Sequence, residues 1–192
     1  MSDEKKLSDF FVNFETRGDP TRERALMAVK TWARAALDKK PCGLVLWSNG
    51  YGAGKTMLAR CAYDVLNYTY ASGQFITAPD FMDLIKGSYE DGSKVSEAQL
   101  FREWRKQQFI IIDDFGKQYT RQEAQGWEFE KWFKLIDVMQ ERALLMTSNL
   151  NPQKIGERIG GAASSRLTGM CEFVDMSALP DFRLVKRKEN VK

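Results

Sequence analysis

An α/β fold, with a parallel sheet covered by helices on both faces, is what this 192-residue sequence predicts, and three observations predict it. Short apolar runs alternate with stretches of helical periodicity along the chain, the order that builds right-handed βαβ units. The run "FIIIDDFG" (109–116) is nearly continuous in apolar residues, as expected of a strand buried on both sides of a parallel sheet. A glycine-rich stretch, "NGYGAGKT", stands where one such run hands over to a helical pattern. In sheets of this kind ligands bind beyond the C-terminal strand ends, so the polar motifs should gather there.

The elements follow in chain order. Residues 22–38, "RERALMAVKTWARAALD", place Leu26, Val29, Ala33 and Ala36 on one helical stripe. "KKPCG" breaks that helix, and "GLVLW" (43–47) is a short buried strand. A helix over 56–67 leads to a second strand, "GQFITA" (73–78). Pro79 and Asp80 open the next helix, which ends on Gly87. The polar loop "YEDGSKVSE" precedes a helix through Trp104, and strand 109–112 runs into the paired aspartates. Residues 121–141 are helical, with Phe129, Trp132, Phe133, Ile136 and Met139 spaced as a core-facing stripe. "ALLMTSN" (143–149) is a strand, and Asn151 before Pro152 caps the helix of "NPQKIGERIG". A helix over 161–169 and a last strand, "CEFVDM" (171–176), complete the order.

Composition narrows the chemistry. With 43% apolar and 29% charged residues, the chain is globular rather than disordered, and its length suits one domain. There is no histidine, which removes His-based zinc sites and Ser-His or Cys-His nucleophiles together. Cys42, Cys61 and Cys171 lie far apart without CxxC spacing and read as small buried hydrophobes in a reducing compartment. The N-terminus has no apolar signal core, and no run approaches the ~20 apolar residues of a membrane span. A cytoplasmic protein with no membrane partner is expected. The net charge of +3 points only weakly to a polyanion, since a modest basic excess is more often just a solvated surface.

Three motifs fall at strand ends. After strand 43–47, Asn49, Gly50, Gly52, Ala53, Gly54, Lys55, Thr56 and Met57 form a stretch with the spacing of a phosphate-binding loop. Glycines let backbone N–H groups face an anion, and the following helix adds its positive end. Lys55 then reaches the β/γ-phosphates and Thr56 ligates Mg²⁺. The usual motif, G-x-x-x-x-G-K-[ST], opens on glycine; Asn49 stands there, a residue that tolerates left-handed backbone angles. After strand 109–112, Asp113 is the expected Mg²⁺ carboxylate and Asp114 the group that polarises an attacking water. After strand 143–147, Asn149 is placed to orient that water.

In order and spacing, "NGYGAGKTMLA", "FIIIDDFG", "LLMTSNL" and "SSRL…PDFR" resemble the AAA+ ATPases of the DnaC-type helicase loaders and the related IstB-type transposition helpers. The likeness covers about residues 8–185. It implies a three-layer P-loop NTPase with a five-stranded parallel sheet in the order 5-1-4-3-2, without a separate lid domain. It divides the chain into an N-terminal segment (1–21), an ATPase core (22–185) and a basic tail (186–192). ATP with Mg²⁺ is then the cofactor pair, held at the interfaces of a homo-oligomer. Asn149 matches sensor 1, Arg166 the arginine finger offered to a neighbouring subunit, and Arg183 a C-terminal arginine facing nucleotide.

The resemblance further implies a replicative helicase and single-stranded DNA as partners, and weak ATP hydrolysis when no partner is present. Lys86, Tyr89, Lys117, Tyr119 and Arg121 are candidate nucleic-acid contacts, and plain solvated surface explains them as well. Asp114 stands where most AAA+ proteins carry glutamate, which leaves open an adaptor that binds ATP without hydrolysing it. A transposition helper on duplex DNA also fits the motifs, and the phosphate loop alone would fit a small-molecule phosphotransferase. The phosphotransferase lacks support in an arginine-rich lid.

Overall fold

The computed structural model describes residues 9–116 and 125–189. Five strands, β1 (Cys42–Trp47), β2 (Gly73–Thr77), β3 (Phe109–Phe115), β4 (Ala143–Ser148) and β5 (Cys171–Asp175), form one sheet in the order β2-β3-β4-β1-β5. All four neighbouring pairs are parallel. This is the 5-1-4-3-2 order of the expected P-loop fold, read from the other edge.

Helices cover both faces. On one side lie α1 (Pro20–Leu37) and α2 (Lys55–Tyr68), whose Val29, Trp32, Leu58 and Leu66 pack on Leu44, Leu46, Phe109 and Leu145. On the other lie α3 (Ala78–Gly87), α4 (Glu97–Lys106), α5 (Gln125–Met139), α6 (Pro152–Ile159) and α7 (Gly161–Met170). Their Phe81, Trp104, Trp132, Ile136 and Leu167 meet Val45, Ile110, Ile112 and Met146. Alternate residues of each inner strand thus feed opposite cores, the period-2 signature of a sheet buried on both faces.

Local signals set the helix starts. Asp19 accepts from the N–H groups of Thr21 and Arg22 ahead of α1, with Pro20 in its first turn. Ser96 and Gln99 close a reciprocal capping box on α4. Asn151 caps α6 through the Lys154 N–H at 2.9 Å, as expected.

Four details differ from the sequence reading. The buried stripe of α1 runs through Ala25, Val29, Trp32, Ala33 and Ala36, while Leu26 is half-buried, because Trp32 takes the face toward β4 and donates its indole N–H to the Leu144 carbonyl at 3.0 Å. β3 continues through both aspartates to Phe115 rather than ending at 112. A further helix, α8 (Phe182–Glu189), occupies much of the segment read as a basic tail. The core stripe of α5 includes Trp132, Leu135, Ile136 and Met139, with Phe129 and Phe133 only half-buried. The proposed helix start at 121, the first eight residues and 190–192 lie outside the described residues.

The cysteines are free. Burial pushes the Cys42 thiol up to about 11 and the Cys171 thiol up to about 12, so both stay protonated and unreactive near neutrality. No helix among the described residues is long and apolar enough to cross a membrane.

Candidate functional site

A cavity of about 440 Å³ opens at the C-terminal ends of β1, β3 and β4. Its floor is the loop between β1 and α2. Gly52 (φ +75°) and Gly54 (φ +94°) hold left-handed backbone there, and each is also packed too closely for a side chain. A Cβ on Gly52 would stand 1.9 Å from Asp181 Oδ1, and one on Gly54 would stand 2.8 Å from the Phe14 ring. Glycine is therefore required twice over at both positions. Asn49 makes no use of its tolerance for left-handed backbone; the positive angles of the loop fall on Gly52 and Gly54. Its N–H instead donates to Ser177 Oγ at 3.1 Å, beyond β5. Neither Asn49 nor Gly50 lines the cavity, whereas Gly52, Ala53, Gly54, Lys55, Thr56 and Met57 do.

Lys55 opens α2 and is 6% exposed. Its ammonium donates to Ser48 Oγ, to the Gly50 carbonyl at 3.0 Å and to Asn149 Oδ1 at 2.8 Å. The two sequence-distant candidates, loop lysine and strand-end asparagine, therefore meet directly. Thr56 donates to Asp113 Oδ1 at 3.0 Å, and Asp114 lines the same cavity. Asp113 is 2% exposed, and its carboxylate accepts from the hydroxyls of Thr56 and Thr147.

Two arginines named from the resemblance part company. Arg183, at the start of α8, lines the cavity, and its N–H donates to Asp181 Oδ1 at 2.9 Å. Arg166, on α7, does not reach its own cavity. Its guanidinium lies 4.2 Å from the Phe133 ring centre, with Nε 3.4 Å from Asp137.

Sequence reasoning missed the wall opposite the strand ends. Arg22, the first buried residue of α1, is 5% exposed and stacks between two rings, 4.8 Å from Phe14 and 3.6 Å from Phe182. Its Nε and Nη1 have no hydrogen-bond partner among the described residues. Burial, and then the charge of Arg17, lower its pKa despite the opposing charges of Asp19 and Glu15. Phe182 also anchors the loop, since its N–H donates to the Gly52 carbonyl at 3.2 Å. The sequence signal that bears on this wall is the opening "DFFVNFETRGDPTRERALMAVKTWA", which looks like the segment preceding the ATPase core in the resembled group.

Of the nucleic-acid candidates, Lys86 lies in the last turn of α3 with its ammonium 4.0 Å from Asp83, and Tyr89 is exposed with its ring edge-on to Trp127. Lys117, Tyr119 and Arg121 lie outside the described residues.

No family model matches the chain, and no curated protein matches it. Solved structures do. A crystal structure of the DnaC helicase loader superposes with a TM-score of 0.68 at 17% identity, covering 82% of this chain and 90% of that one. The DnaI crystal structure gives 0.64 at 14% identity, covering 85% and 86%. The replication initiator DnaA bound to AMPPCP and single-stranded DNA gives 0.65 at 18% identity, covering 96% of this chain and 54% of that one. At these identities the likeness shows the fold alone: a five-stranded parallel sheet between two layers of helices, shared with those structures.

Proposed function

We propose that this chain binds and hydrolyses ATP with Mg²⁺ at the interfaces of a homo-oligomer, and that it loads or remodels a replicative helicase on single-stranded DNA. The observation that carries the reading is the convergence at α2: β4 delivers Asn149 to Lys55, and β3 delivers Asp113 to Thr56. The residues fit the ligands. Left-handed backbone at Gly52 and Gly54 is the form in which successive N–H groups can face one anion. Thr56 and Asp113 offer the hard oxygen donors that Mg²⁺ takes. Bound there, the ion supplies charge neutralisation on the phosphates.

The chain's own groups then have separable roles. Lys55 binds the phosphates, exchanging neutral oxygen partners for anionic ones. Asp114 polarises the attacking water and Asn149 orients it. Arg183 faces the nucleotide from the α8 side. Arg166, turned away from its own cavity, serves a neighbour's site. The replication role is supported by the fold shared with the DnaC, DnaI and DnaA structures.

Mixing two inactive variants, Lys55→Ala and Arg166→Ala, tests the shared site. An interface that pairs an intact Arg166 with an intact phosphate loop should recover ATPase activity. A mixture that co-assembles and stays inactive removes Arg166 from catalysis. Co-purification with ATP from the native host tests the partner: capture of a replicative helicase supports the loader role, and capture of a transposase replaces it.

A further inference from the structure

We infer that Thr147, on β4, is the positioning residue that aims both carboxylates of β3 into the cavity; this rests on the reading of that cavity as a nucleotide site. Successive side chains of a regular strand point to opposite faces. Asp113 and Asp114 are adjacent, so one of them should face away. Both line the cavity. The register explains it: Ile112 pairs with Met146 and Phe115 with Ser148, which leaves two residues of β3 opposite Thr147 alone. That is a β-bulge of one residue, a device that re-aims side chains.

The bulge has a local cost. Asp114 sits at φ +58°, an uncommon conformation for a residue with a side chain, and its N–H falls where the regular ladder is interrupted. One hydroxyl meets both needs. Thr147 Oγ1 accepts from the Asp114 N–H at 2.9 Å and donates its own proton to Asp113 Oδ1 at 2.5 Å. Only a hydroxyl offers acceptor and donor from one atom in this way. Thr147 is 1% exposed, so water has little access to take its place. On the other side of the bulge, Ser148 Oγ donates to the Phe115 carbonyl at 2.9 Å and accepts from the Leu150 N–H at 3.0 Å. Asp113 Oδ1 also receives the Thr56 hydroxyl, which links the bulge to the start of α2. Thr147 itself does not line the cavity; it acts through the two aspartates.

The test compares Thr147→Val, which keeps the shape and deletes the hydroxyl, with Thr147→Ser, which keeps the hydroxyl. Both are made in the full chain, with Thr147→Ala as a second deletion should the valine variant not fold. The deletion should bind ATP in the absence of Mg²⁺ as the parent does. It should need about 10-fold more Mg²⁺ for half-maximal turnover, with turnover itself reduced about 10- to 100-fold, the usual size of an effect exerted through a ligand's supporting partner. Hydrogen exchange at the Asp114 amide should quicken. Serine should restore Mg²⁺ demand, turnover and amide protection together. Parental Mg²⁺ demand in a folded deletion variant overturns the inference, as does a serine variant impaired like the valine one. If the parent itself binds no ATP, the nucleotide reading fails separately. Amide exchange then decides: quickening confined to the deletion variants upholds the role of Thr147, and unchanged exchange ends it.

Discussion

The cavity at the strand ends and the seam between α4 and α5 each bury a lysine, and they do so in different surroundings. In the seam, Lys131 (3% exposed) pairs with the Glu97 carboxylate at 2.9 Å, and Lys134 pairs with the same group at 2.9 Å. In the cavity, Lys55 (6% exposed) hydrogen-bonds to neutral oxygens of Ser48, Gly50 and Asn149. A carboxylate cancels a buried charge, whereas a neutral oxygen only solvates it. The seam therefore uses its charge to hold two helices together. The cavity instead sets its lysine on the wall of an open pocket, within reach of an incoming anion. Arg22, on the same cavity, extends the contrast: it is covered by ring faces, and two of its nitrogens have no hydrogen-bond partner among the described residues.

The largest effect expected from this difference is on binding. Lys55→Ala should weaken ATP binding at least ~100-fold, since it removes charge-assisted bonds worth ~1.5–3 kcal/mol each; titration with a fluorescent ATP analogue measures it. Parental affinity in the folded variant would break the comparison at once. Asp114→Asn should leave that affinity alone and cut turnover about 100-fold, the common size of a lost catalytic group. Steady-state hydrolysis separates the two outcomes, and a parental rate removes Asp114 from the chemistry.

The seam should respond in stability rather than binding. Glu97→Gln leaves Lys131 with only the exposed Glu130 carboxylate and should cost about 2 kcal/mol in urea unfolding at neutral pH, below the ~3–5 kcal/mol of a fully buried pair because Glu97 retains some exposure and Glu130 remains. Burial alone would raise the Glu97 carboxyl, but hydrogen bonds from Lys134 and Lys131 outweigh it and hold the group below its usual 4.5. A carboxylate with a lowered folded pKa stabilises the fold above the unfolded value and loses that contribution as pH falls through the folded one. The gap between parent and variant should thus be full at neutral pH and begin to close below about pH 4.5. A gap that stays constant on acidification would show that the charge of Glu97 is not what holds the seam.

The smallest effect is expected at Arg22. Loss of two ring contacts in Arg22→Met, each worth ~0.5–2 kcal/mol, should be offset by removal of two unpaired buried nitrogens at ~1–3 kcal/mol each. Ligand-free stability should rise by about 1–2 kcal/mol, the difference between those two terms at matched ends of their ranges, read from the urea midpoint. A loss beyond ~3 kcal/mol would place Arg22 with Lys131, as a cation whose work is structural.

The candidate site was partly legible in the sequence, and particular residues show why. The loop from Gly52 to Thr56 and the Asp113–Asp114 pair are contiguous, so spacing alone announces them. Asn149 was found because it ends a strand in a fold whose ligands sit at strand ends. Phe14 and Phe182 could not be joined to Arg22 from the sequence, because the three meet only where segments from opposite ends of the chain close over the loop. Helix α8 was hidden in "RLVKRKENVK", whose run of charge reads as a solvated tail.

What the sequence determined by itself is the alternation of strands and helices and the place of each motif along them. Those depend on periodicity and on residues adjacent in the chain, and both are properties of local order. The tertiary structure decided how the motifs act on each other. A single residue of mismatch between β3 and β4 turns two neighbouring aspartates to one side, and the hydroxyl of Thr147 holds them there. Strand register is a relation between segments far apart in the chain. It is set by how their side chains pack across the sheet, which no single segment encodes.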